Sequence, residues 1–233
     1  MSRQDRTPIY DALQKYIDNR IVSFDVPGHK QGKGHKALVD AFGQKCISMD
    51  LNSSKPLDNL THPTGVIREA EILAAEAFRA AQAFFITNGT TAAVQNMIFS
   101  CCRQNDKIIM PRNVHKSVIN AMIICGAVPV YVNPGTEPEL GISLGMSVSD
   151  VKRAVSEHPD AKAIFVNNPT YYGICSNLPE IVALAHANHM LVLADEAHGT
   201  HFYFHDKLPV SAMAAGADMA AVSMHKTGGS LTQ

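Results

Sequence analysis

A chain of 233 residues with 46% hydrophobic and 18% charged residues can bury a sizeable core and form one large globular domain or a little more. Its 20 Lys and Arg nearly cancel its 21 Asp and Glu, and the charges are scattered, which leaves no basic face for nucleic-acid phosphates and points to a small-molecule partner. The polar start Met1-Ser2-Arg3-Gln4-Asp5-Arg6 lacks the apolar core of an export signal, so a cytoplasmic protein is expected.

In chain order, Thr7-Pro8 reads as a cap with proline at the first helical position, opening a helix over Ile9 to Asp18. Three glycines from Gly28 to Gly34, with Pro27 ahead of them, make a loop. Gly65 to Ala81, rich in Ala and Glu, has strong helix propensity. A strand is expected at Ala83 to Thr87, a turn at Asn88-Gly89, and a helix from Thr91 to Cys102. Lys107 to Met110 reads as a strand, Val114 to Cys125 as a helix and Val128 to Val132 as a strand. The apolar stretch from Ala121 to Val132 contains Gly126 and Pro129 and is far short of the roughly 20 residues that span a bilayer. Ser149 can cap a helix over Asp150 to Glu157, and Lys162 to Val166 is a strand. Pro179 starts a helix through Ala187, and strands follow at Met190 to Ala194 and Asp218 to Ser223. This order predicts an α/β fold, a mainly parallel sheet with helices on both faces. A domain boundary is placed near residue 60, with a helical and extended segment over 1–60 and a large domain over 61–233. The cysteines are five, an odd number, and four of them sit in or beside apolar runs where a free thiol packs as a small hydrophobe.

Ligands of such sheets bind beyond the carboxyl ends of the strands. Three chemical elements are expected there. The apolar run Met190-Leu191-Val192-Leu193-Ala194 ends in Asp195, and a buried carboxylate needs a partner to offset desolvation. Lys226 lies in Ser223-Met224-His225-Lys226-Thr227, just past the last strand. A lysine to form a Schiff base and a carboxylate to keep a pyridine nitrogen protonated are what pyridoxal 5'-phosphate requires. In Asn88-Gly89-Thr90-Thr91, Gly89 lets backbone approach, and the amides and hydroxyls of Thr90 and Thr91 can meet a phosphate at the positive end of a helix. Each element has a plainer reading: a turn with its N-cap, a structural ion pair, a solvated loop lysine. Their joint placement favours the cofactor.

Two other patterns are set aside. Asp195-Glu196-Ala197-His198 spells a helicase box, but Gly28-His29-Lys30-Gln31-Gly32-Lys33-Gly34 is one residue short of a phosphate loop and ends in Gly where Ser or Thr is needed. His198, His201 and His205 resemble zinc ligands, yet Gly199 and Phe202-Tyr203-Phe204 suggest loop or strand where a helix is required. No metal site is expected.

Six ordered motifs then carry a resemblance: Pro27-Gly28-His29-Lys30, Leu57-Asp58-Asn59-Leu60 with His62-Pro63-Thr64-Gly65, Asn88-Gly89-Thr90-Thr91-Ala92, His115-Lys116-Ser117, Asp195-Glu196-Ala197-His198-Gly199 and Ser223-Met224-His225-Lys226-Thr227. Together they resemble the bacterial ornithine/lysine/arginine decarboxylases, over nearly the whole chain. The resemblance implies an aspartate-aminotransferase type of fold and decarboxylation of a basic amino acid, arginine first and then lysine or ornithine, to agmatine, cadaverine or putrescine. It makes Lys226 the cofactor lysine, Asp195 the partner of the ring nitrogen and His115 the residue stacked on the ring. Thr90, Thr91, Ser223 and His225 match phosphate-binding positions, Ala197 lies under the ring and His198 at its edge. The turn Asn167-Asn168-Pro169-Thr170-Tyr171-Tyr172 lies where related enzymes contact the ring hydroxyl, with the contacting residue left open. Family members continue well past the lysine, so the large domain is expected to be incomplete here. The chain is then either a homo-oligomeric enzyme subunit, completed in some cases by a separate C-terminal chain, or a non-catalytic truncated subunit. Another pyridoxal-phosphate lyase or an aminotransferase is the alternative chemistry.

Overall fold

The computed structural model describes residues 2–232. Met1 and Gln233, the outermost residues of the two expected domains, lie outside the described residues. The chain divides into two compact units, Met1–Phe85 and Ile86–Gln233.

The first unit is helical: α1 (Pro8–Asp18), α2 (Lys36–Phe42), α3 (Gln44–Met49) and α4 (Val66–Ala77). Pro8 sits in the first turn of α1, as expected from a residue with no N–H to waste. α1 packs on α4 and α3, burying Tyr16, Ile47 and Leu73. The helix expected to run to Ala81 stops sooner. Arg79 takes a left-handed φ of 53°, and the Ala80 N–H returns to the Ala75 carbonyl, closing the last turn.

The start of α4 is held from a distance by Asp58. Its Oδ1 accepts the N–H groups of Asn59 (2.8 Å) and Thr64 (3.0 Å), and its Oδ2 those of Gly65 (2.7 Å), Ile67 (3.1 Å) and Arg68 (3.4 Å). Those donors include orphan N–H groups of the first helical turn. Burial works to raise the Asp58 pKa, but the N–H groups of Thr64, Asn59, Gly65 and Arg68 outweigh it and bring it down to about 2. A depressed acid contributes stability above its unfolded pKa of 3.8, and that contribution fades as the pH falls from there towards about 2. We expect Asp58→Ala to cost about 2 kcal/mol in urea unfolding at pH 7 and little near pH 2. An equal cost at both pH values would show that the carboxylate is not what caps α4.

The segment expected as a strand at Ala83 to Thr87 forms no strand and runs into a turn at Thr87. The pattern of apolar residues was right, but a strand is defined by a ladder, and no neighbour supplies one among the described residues.

The second unit runs α5 (Gly89–Cys101), β1 (Lys107–Pro111), α6 (Lys116–Cys125), β2 (Val128–Val132), the hairpin β3 (Thr136–Glu137) and β4 (Ile142–Ser143), α7 (Val148–Glu157), β5 (Ala163–Asn167), α8 (Leu178–Ala187), β6 (Leu191–Glu196), β7 (Met219–Val222) and α9 (Met224–Thr227). Five strands form one parallel sheet in the order β2-β1-β5-β6-β7. Successive side chains of a strand point to opposite faces, and the core follows that period. Ile108, Met110, Ala163, Phe165 and Leu193 pack with α5 and α6, while Ile109, Ile164, Val166, Val192 and Ala194 pack with α7 and α8. Helices therefore cover both faces, and the expected fold class holds.

Three local readings are corrected. Ser147, not Ser149, caps α7, its Oγ accepting the Asp150 N–H at 3.1 Å; the helix begins at Val148, so only a side chain ahead of it can reach its free N–H groups. Thr200–Phe204 is a 3-10 helix, where loop or strand was expected, and its aromatics bury Phe202 and Tyr203. The Lys226 turn closes into the short helix α9 through the Gly228 N–H bond to the Met224 carbonyl. Among the described residues no helix is long and apolar enough to cross a membrane.

Candidate active site

All the singled-out site residues belong to the second unit: Asp195, Ala197, His198, Ser223, His225 and Lys226 lie at or just past the carboxyl ends of β6 and β7, His115 follows β1, and Gly89, Thr90 and Thr91 open α5. The strand order turns back between β1 and β5: the chain moves outward from β1 to β2, then returns to β5 and proceeds to β6 and β7. Such a reversal opens a crevice at the carboxyl edge.

Asp195 is the penultimate residue of β6 and is buried at 6% exposure. Its Oδ1 accepts the Ala197 N–H at 3.2 Å, and its Oδ2 takes no hydrogen bond among the described residues. Burial raises its pKa, partly opposed by the Ala197 N–H and by electrostatic interaction with Lys226, His115 and His198. A carboxylate so placed has one oxygen available to a ligand N–H and gains from a cationic one.

Lys226 lies on α9, exposed, with Nζ 3.1 Å from Nε2 of His198. Burial first, and then the charge of Lys226, lower the His198 pKa, with Asp195 opposing. A neutral imidazole has a ring nitrogen free to accept, which suits an ammonium donor. The turn that carries His198 is tied to the strand end before Lys226 by the Thr200 hydroxyl, which donates to the Ser223 carbonyl at 3.2 Å. Ser223 is buried, and its Oγ is 3.3 Å from Nδ1 of His225. Ala197 is buried beside Asp195.

His115 is the N-cap of α6, and its Nδ1 accepts the Ser117 N–H at 3.2 Å. Its ring is therefore fixed by the helix start while its other edge stays exposed. Gly89 opens α5 with a φ of 70°, and nothing would meet a Cβ there. Asn88 makes no side-chain cap bond, so the N–H groups of the first turn, with Thr90 and Thr91, keep their affinity for an anion. α5 packs against β6 and β7 with its C-terminal end by the start of β7, Ser100 Oγ lying 3.7 Å from Met219 Sδ, so its N-terminal end points towards the Ser223 turn. No direct hydrogen bond joins Thr90 or Thr91 to Ser223 or His225 among the described residues.

The structure brings Asp195, His198, Lys226 and His115 within electrostatic reach of one another. It also identifies a residue that sequence reasoning passed over. Glu196 is fully buried on the opposite face of β6; its Oε1 accepts the Ala212 N–H at 2.8 Å and its Oε2 the Tyr203 hydroxyl. Burial lifts its pKa to about 7, against the two hydrogen bonds. Gly199 makes room for it, since a Cβ there would lie 2.5 Å from the Glu196 Cγ. The signal was a second acid directly after a buried one, which the alternation of a strand sends into the other core layer. Among the described residues no cluster of His, Cys, Asp and Glu is arranged to hold a metal ion.

A parallel α/β sheet with these groups on its carboxyl edge defines a class of fold shared with solved aminotransferase-like enzymes. The lysine decarboxylase LdcF of Francisella novicida superposes with a TM-score of 0.82 at 26% identity, covering 94% of this chain and 33% of that one. The chain belongs to the Orn/Lys/Arg decarboxylase family, whose major-domain profile matches residues 7–233. It is similar to the arginine decarboxylase of Bacillus subtilis (strain 168), with 50% identity over 231 residues, 99% of this chain and 47% of that protein. The arginine decarboxylase of Halalkalibacterium halodurans is likewise 50% identical, over 100% of this chain and 48% of its own length. The chain thus spans about half the length of these curated relatives.

Proposed function

We propose that this chain is the cofactor-binding part of a pyridoxal 5'-phosphate-dependent decarboxylase of basic amino acids, with arginine the leading substrate. The observation that carries the reading is the buried Asp195, with one oxygen unclaimed, facing the charge of Lys226 on a sheet edge where an uncapped helix also starts. The 50% identity to two arginine decarboxylases supports the choice of substrate.

These residues fit the cofactor. Gly89, Thr90 and Thr91 at the α5 start would hold its phosphate, helped by Ser223 and His225. Asp195 Oδ2 would take the ring N–H, His115 would stack on the ring, and Ala197 is small enough to lie beneath it. When bound, pyridoxal phosphate supplies an aldehyde for amines and a cationic ring that accepts the electron pair left by departing CO2. Lys226 is the amine that holds the cofactor and the one that substrate must displace. His198, with Nε2 3.1 Å away, would accept a hydrogen bond from Lys226 Nζ and so orient the amine. An ionised Asp195 would keep the ring nitrogen protonated. The protein's contribution is orientation and charge.

In this reading the protein is one cytoplasmic subunit of a homo-oligomer and feeds polyamine formation. Ile123 and Ile124, exposed at 74% and 69% on α6, support self-association.

The test is reduction with borohydride of the chain given pyridoxal phosphate, followed by peptide mapping. One reduced adduct is expected, on Lys226. Arginine should lower the labelling by displacing the lysine, lysine and ornithine less so, and norvaline least. Label on a different lysine would sink the assignment.

A further inference from the structure

An exposed tyrosine is unremarkable alone, but two held at right angles beside a reactive lysine are not placed by chance packing. Tyr171 and Tyr172 are exposed at 78% and 55%. Their ring centroids are 5.6 Å apart with planes at 90°. They stand at the tip of a turn that is fastened throughout. The Asn168 N–H donates to the Asp195 carbonyl at 3.0 Å, and the buried Asn168 Oδ1 accepts the Ser176 N–H at 2.8 Å. Within the turn, the Thr170 carbonyl accepts from the Gly173 N–H at 3.0 Å, and the Thr170 N–H donates to the Ile174 carbonyl at 2.8 Å. The Thr170 hydroxyl accepts the Ile174 N–H at 3.2 Å. The turn is therefore rigid and anchored at the residue that bears the candidate carboxylate.

Tyr171 reaches the site itself. Its ring centroid is 5.6 Å from that of His198, edge-on at 85°, and His198 contacts the Lys226 Nζ. A substrate whose α-amine takes the place of that Nζ extends its side chain from there. In arginine the guanidinium carbon lies on the order of 7 Å from the α-amine when extended, by ordinary bond lengths. A guanidinium acts on an aromatic face from within about 6 Å of the centroid. The cation of such a substrate is thus in range of the Tyr171 ring, and a planar guanidinium can stack there as a compact ammonium cannot.

We propose that Tyr171, with Tyr172 set beside it, is the specificity-determining contact for the distal cation of the substrate, favouring guanidinium over ammonium. This rests on the function proposed above.

The test titrates the 233-residue chain, with ring-labelled tyrosine, with arginine, lysine and the uncharged norvaline, following tyrosine NMR shifts. Ring current should move the Tyr171 signals with arginine and leave them in place with norvaline. Tyr171→Leu should weaken arginine roughly three- to fivefold, lysine less, and norvaline not at all. Tyr171→Phe should restore arginine binding, since the aromatic face and not the hydroxyl does the work. Equal arginine affinity in parent and Tyr171→Leu would overturn the proposal, as would a change in self-association without a change in arginine binding. Borohydride labelling of the same proteins with pyridoxal phosphate and no amino acid separates the two readings. Normal label at Lys226 with no Tyr171 effect rejects this contact alone, whereas loss of label in the parent rejects the cofactor reading.

Discussion

Asp195→Asn is expected to leave capture of pyridoxal phosphate at Lys226 within a few fold of the parent, and to slow CO2 release from arginine at least about a hundredfold in the active enzyme. The amide has the shape of the carboxylate, and its oxygen can still accept the Ala197 N–H. What it lacks is charge. It would offer the ring nitrogen an N–H in place of an anion, so the nitrogen would give up its proton and the ring its pull on the electron pair. Burial already makes the Asp195 charge costly, and the Ala197 N–H and the nearby Lys226 only partly offset that cost. Labelling the ring nitrogen with 15N gives a direct readout: protonated in the parent, unprotonated in the variant. The same ring-nitrogen signal in both proteins, with turnover preserved, would leave Asp195 a structural acid.

The second large effect is on stability and comes from Glu196. Burial lifts its pKa in the folded protein to about 7, above the ordinary value of 4.5. Between these pH values the folded protein keeps a proton that the unfolded chain has lost. The neutral carboxyl therefore contributes fully below pH 4.5, and its contribution declines as the pH rises towards 7, by on the order of 3 kcal/mol in all. Glu196→Gln keeps an oxygen for the Ala212 N–H and presents an amide to Tyr203, with no charge to bury. We expect it to lie close to the parent at pH 4.5 and to gain on it by that amount at pH 8, measured by urea unfolding. Glu196→Ala, which removes both acceptors and leaves a void, should cost about 3 kcal/mol or more at low pH. Parallel pH profiles for the parent and Glu196→Gln would refute the buried-proton account.

Where a signal was local and periodic, the sequence could be read. The apolar runs 107–111 and 163–167 became strands buried on both faces, 128–132 pairs with the first of them as the sheet's edge, and Pro8 and Pro179 mark helix starts because proline spares an N–H that has no partner. Asp195 and Lys226 were legible as an acid closing an apolar run and a lysine past the final strand. Asp58 was not, because it caps a helix from well outside the usual N-cap position, across a loop whose course no pattern announces. Glu196 was hidden by its neighbour: adjacent acids look alike in a string, and only the pleat separates them. The strand expected at 83–87 failed for the complementary reason, since hydrogen-bond partners are not written in the segment that needs them. The two right-angled tyrosines needed the fastened turn to be seen as a pair.

The strand order β2-β1-β5-β6-β7 also bears on how the chain assembles in time. β1 meets β2 across one helix, and β5, β6 and β7 meet each other across single short connections. Ile108, by contrast, must find Ala163 across the whole of α6, β2, the β3-β4 hairpin and α7. Loop closure makes that seam the slow step, and mutations along it should alter the folding rate more than those elsewhere in the sheet. The lysine and its acid both belong to the β5 to β7 block, whereas His115 and the α5 start come from the other. Half of the pocket can therefore exist before the seam closes, but the anion cup faces it only afterwards, so cofactor capture would report on the last event of folding.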